Sequence, residues 1–247
     1  MNSHQKTVII TGASSGIGFA LAEAYLQRGY NVVGNARTIE RLLAAAEKLG
    51  NPPNFLAVAG DIALPATAKA LFARAVAAFG KVDILVNNAG VFIAKPVGDY
   101  TEEDLDALVS TNLKGFFYPS QQAAVHMAAN KSGHIVTISA NIAIQPTVKV
   151  PALLPVLIKG GLINATRALA IELAAFNVQV NTVAPGIIQT PLHSDYENSR
   201  AFFNTLSPSG RTGSTKDIVD AVLYLTDAGF ISGVALPVDG GATAGTW

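Results

Sequence analysis

No cysteine occurs anywhere in the sequence, which excludes a disulfide scaffold and any metal site built on thiolates, and agrees with a cytosolic chain. Charge is scarce as well. Only 14% of residues are charged, 17 basic against 17 acidic, so no electrostatic excess steers the chain toward nucleic acid or an anionic membrane surface. Long apolar runs are also missing: none reads as the roughly 18 to 20 residues that span a bilayer. The N-terminal MNSHQKTVII passes from a short polar lead into a strand-like run without a signal-peptide pattern. His4, His126 and His134 lack metal-ligand spacing. These absences predict a soluble cytoplasmic protein with no metal, whose partner is a small molecule or another copy of itself.

What is present is a repeated alternation. Short β-rich runs (TVIIT at Thr7–Thr11, NVVGNA at Asn31–Ala36, FLAVAGD at Phe55–Asp61, DILVNNAG at Asp83–Gly90, HIVTISA at His134–Ala140, VQVNTVAPG at Val178–Gly186 and VALPVDGG at Val234–Gly241) are separated by helical patterns, most of ten residues or more. Strands apolar on both faces, with helices between them, indicate a parallel sheet covered on both sides. No linker, repeat or low-complexity segment divides the 247 residues. The expected fold is a single α/β domain over residues 1–247, a doubly wound Rossmann sheet of about seven strands.

The first strand runs into TGASSGIG, Thr11 to Gly18, and then a helix. Gly12, Gly16 and Gly18 let backbone approach a pyrophosphate closely, and the helix N-terminus adds unpaired N–H groups and a positive dipole end. Ser14, Ser15 and Ile17 complete that turn. Glycine alone would be a weak signal, because tight turns need it anyway; the spacing in a strand-to-helix context makes it a dinucleotide fingerprint.

TGASSGIG, Asp61 after the third strand, NNAG at Asn87 to Gly90, Asn112 in a helix, Pro185-Gly186 and the terminal VDGG together resemble the short-chain dehydrogenase/reductase superfamily over nearly the whole chain. The resemblance implies that Asp61 and Ile62 flank the adenine, that Asn88, Ala89 and Gly90 line the ribose, that Pro185 and Gly186 belong to the nucleotide site, and that Ile188 and Thr190 hold the nicotinamide carboxamide. Thr190 is equally readable as a helix N-cap before Pro191. NAD-preferring members end the second strand with an acid, whereas this sequence has Ala36 followed by Arg37. A guanidinium binds a 2′-phosphate that a carboxylate would repel, so the expected cofactor is NADPH/NADP+ rather than NADH.

The family's catalytic set is Asn, Ser, Tyr and Lys, with the tyrosine four residues before the lysine. Asn112 and Lys159 match; Pro155 stands where the tyrosine belongs, and proline has no proton to give. Direct alignment puts Ala140 at the serine position and Ser139 one residue off, facing the other side of a regular strand. The segment from Ala140 to Lys159 is about two residues longer than usual, so Ser139 or Ala140 remains open as the catalytic position, and Asn141 is another polar group near the same strand end, on the substrate side. Replacement proton donors are a water on Lys159 and Asn112, or His193 or Tyr196 in the substrate loop at about 190–212. Phe92 and Phe202, beside a Pro-Ala-Leu-Leu-Pro wall ending at Pro155, point to a hydrophobic or aromatic carbonyl substrate. Two functions follow: an NADPH-dependent carbonyl reductase with a non-standard proton donor, forming a homodimer or homotetramer, or a catalytically silent NADPH-binding sensor or assembly protein.

Overall fold

In the computed structural model of the chain, residues 5–192 and 196–246 are described. Their order is β1 (Thr7–Thr11), α1 (Gly16–Gln27), β2 (Asn31–Ala36), α2 (Ile39–Lys48), β3 (Phe55–Ala59), α3 (Pro65–Phe79), β4 (Ile84–Asn87), α4 (Glu102–Leu108), α5 (Gly115–Asn130), β5 (Gly133–Ile138), α6 (Leu153–Leu173), β6 (Val178–Pro185), α7 (Tyr196–Asn204), α8 (Thr215–Asp227) and β7 (Ala235–Val238). The strands form one sheet in the order β3-β2-β1-β4-β5-β6-β7, with every pairing parallel. This is the doubly wound arrangement expected from the alternation of elements.

Strand periodicity explains the two covered faces. Val8, Ile10, Val32 and Val136 point to one side, where Leu21 and Tyr25 of α1 and Ile218 and Val222 of α8 meet them. Ile9, Val33, Leu85 and Ile135 point to the other, against Leu71 of α3, Met127 of α5 and Leu173 of α6. The order reverses between β1 and β4, so the loops leaving their carboxyl ends diverge and open a crevice at that switch point.

Three local features bear on the site. The helical pattern beginning at Glu102 is interrupted between α4 and α5 by a π-helical stretch, Val109–Lys114, which contains Asn112. It lies ahead of Pro119, which has no N–H for the helical ladder. Pro155 is the third residue of α6, in the first turn where N–H groups lack helical partners, so it costs the helix no bond. Leu153–Phe176 is long and apolar enough by length and composition to cross a bilayer, contrary to the reading of short apolar runs, because Lys159 and Arg167 break the run without lowering its average much. This helix packs on β6 and turns Ile158, Leu162 and Leu173 inward.

Candidate active site

The turn after β1 is held in a shape that only glycine fits. Gly12 and Gly16 lie in the left-handed region at φ 70° and 55°, and a Cβ on Gly18 would fall 2.2 Å from the Gly12 carbonyl oxygen. Thr11 Oγ1 accepts the N–H groups of Asn88 and Ala89 at 3.0 Å each, and Asn88 Nδ2 donates to the carbonyls of Thr11 and Gly12 at 2.8 and 3.3 Å. The NNAG loop is therefore bolted to the glycine turn. Ser15, at the N-cap of α1, makes no side-chain capping bond, and the first turn has no acidic residue. Its N–H groups are left for an anion.

A cleft of about 750 Å³ runs across the carboxyl ends of the strands, within the usual size range of small-molecule sites. Gly12, Ser14, Ser15, Gly16 and Ile17 line its floor; Arg37, Asp61 and Ile62 line one end, joined there by Arg41. Arg41 escaped the sequence reading. It follows Arg37 by four residues, and only the entry of the chain into α2 brings both to the same rim. Asn35 Nδ2 donates to the carbonyls of Val58 and Gly60 at 3.1 Å each, locking the ends of β2 and β3 together, and Asp61 Oδ1 accepts the N–H of Ala63 at 2.9 Å.

Midway, Asn88, Ala89 and Gly90 face Pro185, Gly186, Ile188 and Thr190. Gly186 sits against Asp239, where a Cβ would come within 2.9 Å of the backbone, and a Cβ on Gly16 would lie 3.4 Å from Thr190. Thr190 thus closes over the glycine turn. Among the described residues it caps no helix, since residues 191 and 192 form a turn.

Lys159 is buried and reaches the cleft from α6, its Nζ donating to the Ile138 carbonyl at 2.9 Å; the Ser139 hydroxyl donates back to the Lys159 carbonyl at the same distance. These two bonds clamp α6 to the end of β5. Burial disfavours the charged ammonium and lowers the Lys159 pKa to about 8. Ser139 and Ala140 both border the cleft, but the Ser139 proton is directed at a main-chain carbonyl and Ala140 offers only a methyl group. Asn112 is also buried, with Oδ1 accepting the Val91 N–H at 2.8 Å and Nδ2 donating to the Val91 carbonyl at 2.9 Å. It does not line the cleft; it holds the irregular segment that follows NNAG. A Cβ on Gly90 would lie 3.1 Å from Asn112 Oδ1 and 3.3 Å from Lys159 Nζ, so this glycine lets both groups close in around the backbone.

The expectations for the substrate side divide. Phe92 and Asn141 line the cleft. Pro155 is buried, and no residue of the Pro151–Pro155 wall is in the lining, where Val150 stands instead. The start of α6 turns Pro155 inward to pack and leaves Leu153 on the outer surface, so neither faces the cleft. Phe202 is also outside the lining: it is 46% exposed with its ring 6.0 Å from that of Phe203, and Leu206 supplies the apolar contact instead. His193 and the side chain of Tyr196 lie outside the described residues. Gln145, Thr147, Lys149 and the C-terminal Ala242, Gly245 and Thr246 also line the cleft, and no motif marked them. Gln145 Nε2 donates to the Gly245 carbonyl at 3.1 Å and Lys149 Nζ to the Thr205 carbonyl at 2.9 Å, tying the segment after β5 to the C-terminus and to the loop after α7.

Fold and cleft are those of a doubly wound α/β dinucleotide-binding domain. A family model described as enoyl-(acyl carrier protein) reductase matches residues 12–243, and the chain belongs to the short-chain dehydrogenase/reductase superfamily. A hydroxy(phenyl)methylsuccinyl-CoA dehydrogenase subunit from Thauera aromatica is 34% identical over 245 residues, covering 98% of each chain. The crystal structure of a 3-ketoacyl-(acyl-carrier-protein) reductase from Brucella melitensis complexed with NADH superposes with a TM-score of 0.89 at 32% identity, covering 96% of this chain and 98% of that one. A structure of ElxO with NADP bound gives a TM-score of 0.91 at 28% identity over 98% of this chain and 100% of that one. The protein is accordingly a nicotinamide-dependent oxidoreductase acting on hydroxyl or carbonyl groups.

Proposed function

We propose that the protein is an NADPH-dependent carbonyl reductase whose proton donor is Lys159, acting through an ordered water. The observation that carries this reading is the single cleft that joins two arginines and an uncapped helix N-terminus at one end to a buried lysine at its middle. Bound nicotinamide supplies the hydride. Arg37 and Arg41 hold the 2′-phosphate, the first turn of α1 takes the pyrophosphate, Lys159 takes the ribose hydroxyls, and Ile188 and Thr190 orient the carboxamide. Asn112 acts by positioning Val91.

No tyrosine side chain lines the cleft among the described residues. Lys159, with its pKa lowered to about 8, carries a transferable proton near neutral pH, where an ordinary lysine would release it poorly. The apolar contacts of Phe92, Val150 and Leu206 suit the body of a hydrophobic or aromatic ketone. NADPH consumption across a panel of ketones, run in parallel with NADH, tests the reading. Turnover with NADPH preferred is expected; tight NADPH binding with no turnover on any carbonyl overturns it and leaves the silent binding protein that Pro155 and Ala140 favour. Exposed Phe117 and Val125 on α5 and Leu157 and Ile171 on α6 support association of copies into a homodimer or homotetramer, which light scattering measures.

A further inference from the structure

Strand alternation sets the direction of the hydroxyl at the end of β5. Val136 and Ile138 pack on one face of the sheet and Ile135 on the other, beneath α5 and α6. Ser139 follows Ile138 and continues the ladder, its N–H donating to the Val183 carbonyl at 2.8 Å, so its side chain falls on the face that α6 covers. There it is buried and donates to the Lys159 carbonyl at 2.9 Å. The residue before it in the chain holds the other end of the same lysine, since the Ile138 carbonyl accepts from Nζ at 2.9 Å. Two consecutive residues of one rigid strand end thus grip both the main chain and the tip of Lys159. One of the three ammonium N–H groups is used, and two are left for the cleft that Lys159 lines.

The helix needs that outside support. Ala152, at the N-cap of α6, gives no side-chain capping bond, and Pro155 supplies no N–H in the first turn. Gly160 and Gly161 follow the lysine directly, and glycine is a poor helix former. Close packing demands neither: a Cβ on Gly160 would meet only the Ala143 carbonyl oxygen, at 3.8 Å, and one on Gly161 would meet nothing within 4 Å. The turn that carries Lys159 is therefore soft by its own sequence. Ser139, fixed to β6 through its own N–H, is the post to which that turn is tied.

Building on the reductase reading above, we propose that Ser139 is a positioning residue: its hydroxyl holds the main chain of Lys159 so that the amine meets cofactor and substrate at a fixed point, and it does not itself touch the reacting carbonyl. A small displacement of a group that binds cofactor and delivers a proton lowers both functions together.

The test is a double-mutant cycle of wild type, Ser139→Ala, Lys159→Met and the double variant, read by calorimetric titration with NADPH and by kcat and KM for a ketone that the wild type reduces. With Lys159 present, Ser139→Ala is expected to weaken NADPH binding and to lower kcat, each by roughly five- to tenfold, as for one hydrogen bond, with little change in the ketone KM. On the Lys159→Met background the same substitution should cost less than about twofold, because the amine that it positions is gone. Equal losses in both backgrounds overturn the proposal, and so does a raised ketone KM with kcat and NADPH affinity unchanged, which would place the hydroxyl on the substrate. Ser139→Thr keeps a hydroxyl on the same carbon and should stay within about twofold of wild type; a loss as large as that of Ser139→Ala overturns the proposal. Should Ser139→Ala fail to fold, Ser139→Cys, close in size but a weak donor, carries the same cycle. The binding arm separates this idea from the one beneath it. Coupling in NADPH affinity, found without turnover of any ketone, supports the positioning role and counts against the reductase; additive losses in NADPH affinity overturn the positioning role whatever the turnover.

Discussion

The two ends of the cleft are built on different principles. At the nucleotide end the work is done by main chain: Gly12 and Gly16 at positive φ, Gly18 pressed on a carbonyl, and loops fastened by Thr11 and Asn88. At the substrate end the lining is side chains on irregular segments, Gln145 to Val150 and the C-terminal residues, held by the long-range bonds of Gln145 and Lys149. The first end tolerates almost no substitution because steric exclusion is steep. The second is still a cleft with Ala140 on its lining and no tyrosine side chain there among the described residues.

Lys159 stands where the ends meet, and Lys159→Met should be the most damaging change, lowering reduction by about 10²- to 10⁴-fold if the lysine supplies the proton. A pH–rate profile adds a signature: in the wild type reduction should fall as pH rises through about 8, where Nζ loses its proton, and the variant should lack that limb. Stability moves the other way. Between about 8 and the ordinary value of 10.5 the folded protein has released the proton while the unfolded chain still binds it, so the unfolded state holds more protons and stability rises with pH. The slope reaches at most about 1.4 kcal/mol per pH unit and should flatten in the variant, as read by denaturant titration at several pH values.

Gly18→Ala comes next. Its Cβ has no room, so a stability loss of about 1 to 3 kcal/mol with collapse of cofactor binding is expected, whereas Gly98→Ala, which meets nothing within 4 Å, should change little. Calorimetry on both would erase the contrast between the ends if the two variants behaved alike. Arg37→Ala and Arg41→Ala should each weaken NADPH by about tenfold and NADH hardly at all, since only the phosphate contact is lost. An equal loss for both cofactors would remove the arginines from phosphate recognition. The smallest effect is reserved for Pro155→Ala: it has no proton to lose and does not face the cleft, so turnover should stay within about twofold.

The nucleotide end was legible in the sequence because the residues that define it are required by local backbone sterics and sit at short, regular spacings. The lysine was legible from its place in a helix. Arg41 was not, because nothing distinguishes it from a solvated helix arginine until β2 and α2 are set at their angle. The Pro151–Pro155 wall was misread because an apolar stretch does not say whether it packs inward or lines a cavity, and here the first turn of α6 buries Pro155. Asn112 was read as a catalytic residue, but its partner is the main chain of Val91, 21 positions earlier, and its geometry depends on the π-helical stretch.

By itself the sequence determined the parallel sheet, through strands apolar on both faces, the glycine turn, through φ values that only glycine reaches without strain, and the missing hydroxyls at positions 140 and 155, through identity alone. Only the tertiary structure decided that the Ser139 hydroxyl donates its hydrogen bond to the Lys159 carbonyl, that Lys159 is desolvated, and that Lys149 and Gln145 bond to segments far along the chain. The physical reason is range. Backbone sterics act within a few residues, whereas desolvation and convergent hydrogen bonds depend on distant segments, such as Gln145 and Gly245, 100 positions apart, brought together by the register of the sheet.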